Sequence, residues 1–187
     1  MKKRIVFGIS GASGMPLAHA VLKAFSCVAD LEIHAIVSHH ASQVLKAECA
    51  QESHIFEKYV AKLYEADDMA APPASGSWKH DGMIVCPCSM SSLASIAHGN
   101  GISLLHRAAD VTIKERRTLI LAVRESPLSP IHLRNMLTCA ETGCVIMPFM
   151  PAFYQKPLCI ETMMTFFAGR LLDVLGIPHS LIKRWGE

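Results

Sequence analysis

The sequence has few charged and few aromatic residues, and its charges do not cluster. Charged residues make up 18% and aromatic residues 6% of the 187-residue chain, whereas hydrophobic residues make up 51%. This composition excludes a disordered tail and a charge-laced coiled coil, and it predicts a large core. The formal net charge is only +2 and no basic run occurs. We therefore expect no nucleic-acid-binding surface.

Two further absences bear on where in the cell we expect the protein. No stretch of about 18 uninterrupted apolar residues occurs, so we expect no membrane span. The basic residues 1–4 lead into a short strand-like run instead of the apolar segment of a secretory signal. The seven cysteines form neither an even framework nor a C-x-x-C pair. This cysteine usage predicts reduced thiols and a cytoplasmic protein.

What the sequence does contain is a regular alternation of apolar β-branched runs with amphipathic segments. The runs predict strands over residues 4–9, 32–37, 82–86, 118–123 and 144–147. The segments between them predict helices over residues 16–25, 41–50, 89–97, 104–113, 131–140 and 160–175. This alternation predicts an α/β fold, a doubly wound parallel sheet in three layers, in a single domain over residues 1–187.

Two segments interrupt the alternation. Residues 65–79 and 148–157 are rich in proline and other chain breakers, so we expect functional loops there. Residues 180–187 are expected to dock on the body or on a neighbouring chain through Trp185. The low charged fraction also predicts a homo-oligomer, because one protomer of this size cannot bury half of its residues.

The loop after the first predicted strand is rich in glycine. In an open parallel sheet the ligand lies outside the carboxyl ends of the strands. The segment Gly8-Ile9-Ser10-Gly11-Ala12-Ser13-Gly14 lets backbone N–H groups approach a phosphate, with the positive end of the next helix behind them. Its spacing differs from the dinucleotide fingerprint, and the P-loop lysine is missing. The loop indicates a mononucleotide such as FMN, and the alternative is a tight turn without a ligand.

A second group of polar side chains follows the predicted strand at 82–86. Ser89 can cap the next helix, while Ser91 and Ser92 can donate to a phosphate or to a flavin edge. The pair Cys86 and Cys88 invites a metal interpretation. No His or Cys stands at ligand spacing from that pair, so we expect two buried thiols and no metal.

Basic residues complete the candidate site. Arg107 and Lys114 are seven residues apart and point from one face of a predicted helix, and Arg124-Glu125 follows a strand directly. This arrangement predicts an anionic substrate at the carboxyl edge. The alternative for Arg124 is a structural ion pair with Glu125 or a helix end. His39 and His40 could meet a ligand, although scattered histidines are more often on the surface.

Seven blocks in order along the chain resemble one family. The blocks are Gly8-Ile9-Ser10-Gly11-Ala12-Ser13-Gly14, Ala74-Ser75-Gly76-Ser77, Cys86-Pro87-Cys88-Ser89, Arg107-Ala108-Ala109-Asp110-Val111, Lys114-Glu115-Arg116-Arg117, Arg124-Glu125-Ser126-Pro127-Leu128 and Met150-Pro151-Ala152-Phe153-Tyr154. From residue 4 to about residue 185 the chain resembles the UbiX-type flavin prenyltransferases, and within them the phenolic acid decarboxylase branch.

The resemblance implies a flavodoxin-like fold in a dodecamer that binds reduced FMN and dimethylallyl phosphate without a metal. The implied reaction joins the prenyl C1 to flavin N5 and then closes a fourth ring onto C6. The product, prenylated FMN, would mature in a partner UbiD-type decarboxylase that acts on an aromatic acid.

The resemblance also implies roles for individual residues. The positions that would hold FMN are Gly11, Ala12, Ser13, Ser38, Ser89, Met90, Ser91, Ser92 and Arg124. Those around the prenyl phosphate would be Arg107, Lys114, Arg124, Glu125, Tyr154 and Arg170, with the first two supplied by this chain or by a neighbouring subunit. Glu125 or the released phosphate would accept the proton lost on ring closure, and Ser13 and Glu48 would adjust the protonation of the flavin.

The chain departs from the family pattern at two places. Asp68 stands where several relatives have an aromatic residue, and Met15-Pro16 replaces small or polar residues after the glycine loop. Two alternatives remain open. One is an FMN-dependent cysteine decarboxylase of the phosphopantothenoylcysteine type with His39 or His40 as its catalytic histidine. The other is a non-enzymatic FMN-binding subunit of a phenolic acid decarboxylase.

Overall fold

The chain forms one sheet of six parallel strands in the order β3-β2-β1-β4-β5-β6. The computed structural model describes residues 2–184 and 186. The strands are β1 (Lys3–Ile9), β2 (Leu31–Val37), β3 (Lys62–Glu65), β4 (Gly82–Cys88), β5 (Thr118–Val123) and β6 (Val145–Ile146). The helices are α1 (Met15–Phe25), α2 (His39–Cys49), α3 (Met90–Ala97), α4 (Leu104–Lys114), α5 (Pro130–Glu141) and α6 (Ile160–Val174). The predicted doubly wound sheet is confirmed.

Alternate residues of the central strands face two separate cores. Ile5, Phe7 and Ile9 of β1 are fully buried in a core that includes α1 and α6. Val6 points to the opposite face, into a core that it shares with α3 and α4. All seven residues of β4 are buried. The apolar runs therefore form strands because helices cover the sheet on both faces.

One strand is not anticipated by the sequence pattern. β3 is a four-residue edge strand, and only Tyr64 in it is buried. A strand that is mostly exposed has no apolar run to reveal it. In addition, β6 has two residues where four were predicted. The expected docking of Trp185 lies outside the described residues.

The strand order reverses between β1 and β4, which places a topological switch point at their carboxyl ends. The loops after β1, β4 and β5 meet there. No helix within residues 2–184 and 186 is long and apolar enough to cross a bilayer.

Candidate functional site

A cleft of about 660 Å³ opens at this switch point. Its walls are mostly apolar and come from the loops after β1, β5 and β6, from the ends of β4 and β5, and from α1, α2 and α6. The lining residues are Ser13, Gly14, Pro16, Leu17, Glu48, Pro87, Ala122, Val123, Arg124, Glu125, Ser126, Pro148, Phe149, Met150, Ile160 and Met164. We call this space the cleft. An apolar wall with a few polar groups at its rim suits a flat aromatic ligand.

Ser10 ties the glycine loop to the loop after β4. The buried Ser10 hydroxyl donates to the Pro87 carbonyl at 2.8 Å and accepts from the Ser89 N–H at 2.8 Å. The peptide bond before Pro87 is cis. These bonds join the ends of β1 and β4, so two of the predicted binding loops are held together by one buried side chain.

Glu48 reaches from α2 to the start of α1. Its carboxylate accepts from the Gly14 N–H at 3.0 Å and from the Met15 N–H at 2.8 Å. Burial alone would raise the pKa of this carboxyl. The Ser13 hydroxyl, the two amides and the nearby Arg124 charge outweigh burial and lower the pKa. Glu48 is therefore an anion at the rim of the cleft.

The Glu48 contact bears on the expectation that the glycine loop and the start of α1 bind a phosphate. The positive end of α1 already holds a carboxylate from within the chain, so an external phosphate cannot use the Gly14 and Met15 amides. Gly14 has a φ of +118°, which only glycine adopts readily. The loop is thus built around Glu48, and that contact has no signal in the spacing of the glycines.

Arg124 and Glu125 lie where the sequence predicted them, directly after β5. The Arg124 N–H donates to the Cys88 carbonyl at 3.0 Å, which fixes the backbone beside β4. Both side chains are exposed and line the cleft. One Glu125 carboxylate oxygen accepts from the Ser126 N–H at 2.9 Å. A positive and a negative side chain thus stand side by side at the cleft.

The serines predicted to bind a cofactor cap two helices. Ser38 accepts from the Ala41 N–H at 3.1 Å at the start of α2. Ser89 accepts from the Ser92 N–H at 3.2 Å at the start of α3. The Ser91 side chain is exposed, whereas Ser92 is buried and its hydroxyl lies 3.2 Å from His106 Nε2 on α4. Ser92 therefore points into the protein, and Ser38, Ser89 and Ser91 remain at the carboxyl edge.

Gly11 and Ala12 form the tight part of the glycine loop. A Cβ at Gly11 would lie 2.5 Å from the His40 Cβ at the start of α2. Ala12 is buried. Glycine is required at position 11 because α2 packs directly against the loop. His39 and His40 are both exposed, and neither lines the cleft.

The other predicted basic residues lie elsewhere in this chain. Arg107 donates to the Ala74 carbonyl at 3.1 Å and pairs with Asp110 at 2.6 Å. Lys114 pairs with Glu115 at 2.5 Å, and a Cβ at Gly76 would overlap that pair. We call Arg107 and Lys114 the α4 cations. They brace the loop at residues 72–77 and do not line the cleft.

Tyr154 and Arg170 share a second pocket of about 300 Å³. The Tyr154 ring meets Phe166 edge-on at 6.0 Å between centroids, and Arg170 pairs with Asp173 at 2.6 Å. Lys183 and Arg184 also line this space, which we call the α6 pocket. The structure thus brings Tyr154 and Arg170 together, but in a pocket that shares no lining residue with the cleft.

The i+3 spacing gave an Arg170–Asp173 pair as the structural alternative for Arg170, and the structure contains that pair. Sequence reasoning missed the convergence of further side chains on Asp173 and the place of Met164. Asp173 accepts hydrogen bonds from three side chains, those of Arg170, His179 and Arg184. Only its spacing from Arg170 signals this role. Met164 lines the cleft from the apolar stripe of α6, and that stripe looks like ordinary core in the sequence. Asp68 lies in the turn after β3, outside the residues that line the cleft.

The paired cysteines at the end of β4 behave as core residues. Cys86 and Cys88 are fully buried. Burial raises the pKa of the Cys86 thiol to about 12. Within residues 2–184 and 186, no three His, Cys, Asp or Glu side chains converge on a point where a metal ion could bind.

Comparison with known proteins identifies close relatives over almost the whole chain. The model of the flavoprotein family matches residues 1–173. The flavin prenyltransferase UbiX of Methanocaldococcus jannaschii is 42% identical over 183 residues, which cover 98% of each chain.

Two solved structures share the fold at high similarity. The crystal structure of AnUbiX (PadA1) in complex with FMN and dimethylallyl pyrophosphate has a TM-score of 0.95, with 41% identity, 100% of this chain covered and 99% of that one. A dodecameric FMN-dependent UbiX-like decarboxylase from Escherichia coli has a TM-score of 0.93, with 38% identity, 98% of this chain covered and 100% of that one.

Proposed function

We propose a reaction for this chain from one premise: the chain belongs to the flavoprotein family and, within it, to the UbiX-type flavin prenyltransferases. The proposed reaction transfers a dimethylallyl group from dimethylallyl phosphate to reduced FMN and yields prenylated FMN. The observation that carries this proposal is the cleft at the β1/β4 switch point. Its apolar walls and the charged groups at its rim suit a flavin ring.

The residues at the cleft fit FMN in shape and in charge. Pro16, Pro87 and Val123 offer apolar surface for a flat ring. The exposed Ser91 and the capped starts of α2 and α3 offer hydroxyl and N–H donors for a phosphate at the same edge. We propose that Gly11, Ala12, Ser13, Ser38, Ser89, Met90, Ser91 and Arg124 surround the cofactor. The role of Ser92 is narrower, since its hydroxyl faces His106 and only its backbone remains on that side.

When bound, reduced FMN supplies the nucleophilic positions N5 and C6. Glu48 is held as an anion by the Ser13 hydroxyl and by two backbone amides. An anion at this place favours a neighbouring proton donor in its protonated form. We propose that Ser13 and Glu48 together control protonation at the edge of the flavin.

Positive side chains would stabilise the departing phosphate. Carbon–oxygen cleavage leaves negative charge on the phosphate, and guanidinium and ammonium groups neutralise that charge. Arg124 lines the cleft, whereas Arg170 and Tyr154 line the separate α6 pocket. We propose that these three groups hold the prenyl phosphate, and that the cationic side chains make a divalent metal unnecessary. Glu125 or the released phosphate accepts the proton lost on ring closure.

The α4 cations can take part in the proposed reaction only if a second chain places them at the cleft. Arg107 and Lys114 do not line the cleft of their own chain. We propose that they reach the prenyl phosphate of a neighbouring subunit in a dodecamer. Large apolar side chains remain exposed on and near the loop before α6, with Leu158 97%, Phe153 72% and Met150 70% exposed, and such surface is typical of an assembly interface.

The proposed product explains why the chain would need a partner. Prenylated FMN is a cofactor, so an enzyme that makes it must release it to a protein that uses it. We propose a UbiD-type decarboxylase of an aromatic acid as the recipient. We further propose one domain over residues 1–187, and the cysteine usage of the sequence supports a cytoplasmic location.

The decisive test is the mass of the flavin after reaction. Purified protein is incubated anaerobically with reduced FMN and dimethylallyl phosphate, and the released flavin is analysed by mass spectrometry. We expect a flavin heavier by one C5 unit. A matched reaction with dimethylallyl pyrophosphate identifies the preferred donor.

The same assay separates the alternatives. A non-enzymatic FMN-binding subunit would return FMN of unchanged mass with either donor. A cysteine decarboxylase would also return unchanged FMN, but it would release carbon dioxide from a peptide with a C-terminal cysteine. Either result would overturn the proposed reaction and leave the family membership intact.

A further inference from the structure

The turn that ends α5 brings two cysteines together. Cys139 lies in the last turn of the helix, and Cys144 follows the turn. The Cys144 N–H donates to the Cys139 carbonyl at 3.0 Å, and the Gly143 N–H donates to the Ala140 carbonyl at 2.9 Å. Gly143 has a φ of +93°. These bonds form a Schellman motif, in which the side chains at the positions of Cys139 and Cys144 touch across the helix end.

The two thiols of this pair differ in pKa. Interaction with the Cys139 thiol lowers the pKa of the Cys144 thiol more than burial raises it, and the pKa of Cys139 rises instead. The Thr142 hydroxyl donates to the Cys139 carbonyl at 2.8 Å, and its oxygen lies 3.5 Å from Cys144 Sγ. Cys144 is thus the thiol of the pair that forms a thiolate more readily.

Only one of the two thiols meets an opening. Cys139 is 1% exposed, whereas Cys144 is 7% exposed and lines a cavity of about 250 Å³. Arg116 and Arg117 line the same cavity. Cys88 shares the core with this pair but is fully buried and does not reach the cavity.

We propose that Cys139 and Cys144 form a reversible dithiol site in which Cys144 reacts with a hydroperoxide and Cys139 closes a disulfide across the end of α5. The Cys144 thiolate attacks one peroxide oxygen, the O–O bond breaks, and hydroxide leaves, which is protonated to water. This step gives a sulfenic acid at Cys144. The Cys139 sulfur then attacks Cys144 Sγ and displaces the sulfenic oxygen, which leaves as water with the Cys139 proton. Two thiols lose two electrons, and one hydrogen peroxide becomes two waters.

This site is separate from the proposed prenyl transfer and does not depend on it. Neither cysteine lines the cleft or the α6 pocket. A disulfide here would fix the chain three residues before Met147, whose N–H donates to the Leu121 carbonyl at 2.9 Å and anchors the segment that leads to the cleft.

Mass spectrometry of the full-length protein tests the proposal. The reduced protein is treated with hydrogen peroxide, free thiols are alkylated, and the chain is cleaved after Glu141, which lies between the two cysteines. We expect the two flanking peptides to remain joined until a reductant is added. In Cys144→Ser the joined pair should vanish, and in Cys139→Ser a sulfenic acid should accumulate at Cys144 and react with dimedone.

Exposed cysteines provide the internal comparison. Cys27 and Cys159 are both exposed. We expect Cys144 to be oxidised at least about tenfold faster than either of them, because its thiolate is favoured. The proposal is overturned if Cys27 and Cys159 are oxidised while the Cys139 and Cys144 peptides separate freely. It is also overturned if the joined pair persists in Cys144→Ser, since Cys139 would then have another partner.

Discussion

The cleft and the α4 cations differ in how completely one chain builds them. The cleft is assembled at the carboxyl edge from three loops and the strand and helix residues beside them, which are joined through Ser10, Glu48 and the β4–β5 ladder. Arg107 and Lys114 instead lie on one helix and are engaged with Asp110 and Glu115 of their own chain. One protomer thus forms the proposed flavin-binding part of the site by itself. The side chains proposed to bind the phosphate are spread over separate parts of the chain.

This difference follows from the fold. The switch point of a parallel sheet gathers loops at one edge, so a single chain can build a ligand cleft there. Lys114 is the last residue of α4, which leads into β5, and it therefore lies toward the opposite edge of the sheet. Only a second chain can bring such a residue to the cleft, and symmetric assemblies supply one repeatedly.

The strongest test of this comparison mixes two defective chains. Arg124→Ala and Lys114→Ala should each lower prenyl transfer by at least about 100-fold, as loss of a group that stabilises transition-state charge does. Co-expressed with different tags and purified through both tags, the two chains should regain measurable transfer, because some sites then combine an intact Arg124 with an intact Lys114.

The control for this mixture pairs two differently tagged Lys114→Ala chains, which should remain inactive. If the Arg124→Ala and Lys114→Ala mixture is equally inactive, both residues serve one chain and the shared site is wrong. Full activity of either single variant would remove that residue from the phosphate site.

The next largest effect is expected inside the cleft. Gly11→Ala places a Cβ 2.5 Å from the His40 Cβ, and the helix start behind it cannot move easily. We expect a loss of stability of about 1–3 kcal/mol from overpacking and protein that no longer retains FMN after gel filtration. Thermal unfolding and flavin absorbance measure the two effects.

Gly101→Ala is the matched control for that variant. Its Cβ would meet Arg107 no closer than 3.7 Å, which is ordinary contact. It should therefore keep FMN and fold normally. Retention of FMN by a folded Gly11→Ala protein would show that the loop is a structural turn and that the flavin lies elsewhere.

Smaller effects are expected at the α6 pocket. Tyr154→Phe and Arg170→Ala should each lower transfer by about tenfold while FMN affinity and assembly stay nearly unchanged, the scale of one lost charge-assisted contact. Steady-state transfer rates and flavin titration measure the two quantities.

Arg184→Ala is the informative control at this pocket. Arg184 also binds Asp173, at 2.8 Å, as Arg170 does at 2.6 Å. If Arg184→Ala lowers transfer as much as Arg170→Ala, the Asp173 network is structural. Loss of the oligomer in the Arg170→Ala protein would support the same conclusion.

Glu48 offers a test by pH. Its folded-state pKa is lowered, so its contribution to stability is present above the pKa of the unfolded state and is lost as pH falls through the folded-state pKa. Glu48→Gln removes this titration. The difference in unfolding free energy between wild type and Glu48→Gln should therefore shrink on acidification, by less than about 1 kcal/mol because solvent screens the site.

Glu65→Gln, at the exposed end of β3, is the control for that measurement. A pH-independent difference for Glu48→Gln would mean that the carboxylate charge does not hold the glycine loop.

Much of the fold and part of the cleft could be predicted from the sequence. The features that could not be predicted were missed for physical reasons. Strands that are buried on both faces carry apolar runs, so β1, β4 and β5 were predicted within a few residues. β3 was missed because an exposed edge strand carries no such run. The positions of Arg124 and Glu125 followed from the rule that ligands bind beyond the carboxyl ends of strands.

Contacts between distant segments could not be predicted in the same way. Glu48 reaches the start of α1 from the last turns of another helix, 33 residues away from Met15, and no local pattern encodes that distance. The clustering of Arg170, His179 and Arg184 on Asp173 likewise depends on how the segment after α6 folds back. The resemblance to a family supplied residue roles, while the chain's own packing decided which residues meet.

The smallest expected effect is that of metal removal. The proposed phosphate site uses Arg124, Arg170 and the α4 cations, and fixed guanidinium and ammonium groups can neutralise developing charge in place of a divalent ion. Transfer after exhaustive dialysis against EDTA should therefore equal that of untreated protein, and added magnesium should not raise it. A chelator-sensitive activity restored by magnesium would mean that an ion supplies part of the charge. The α4 cations would then be explained by the ion pairs that they form within their own chain. There would be no reason to propose that they are shared between subunits.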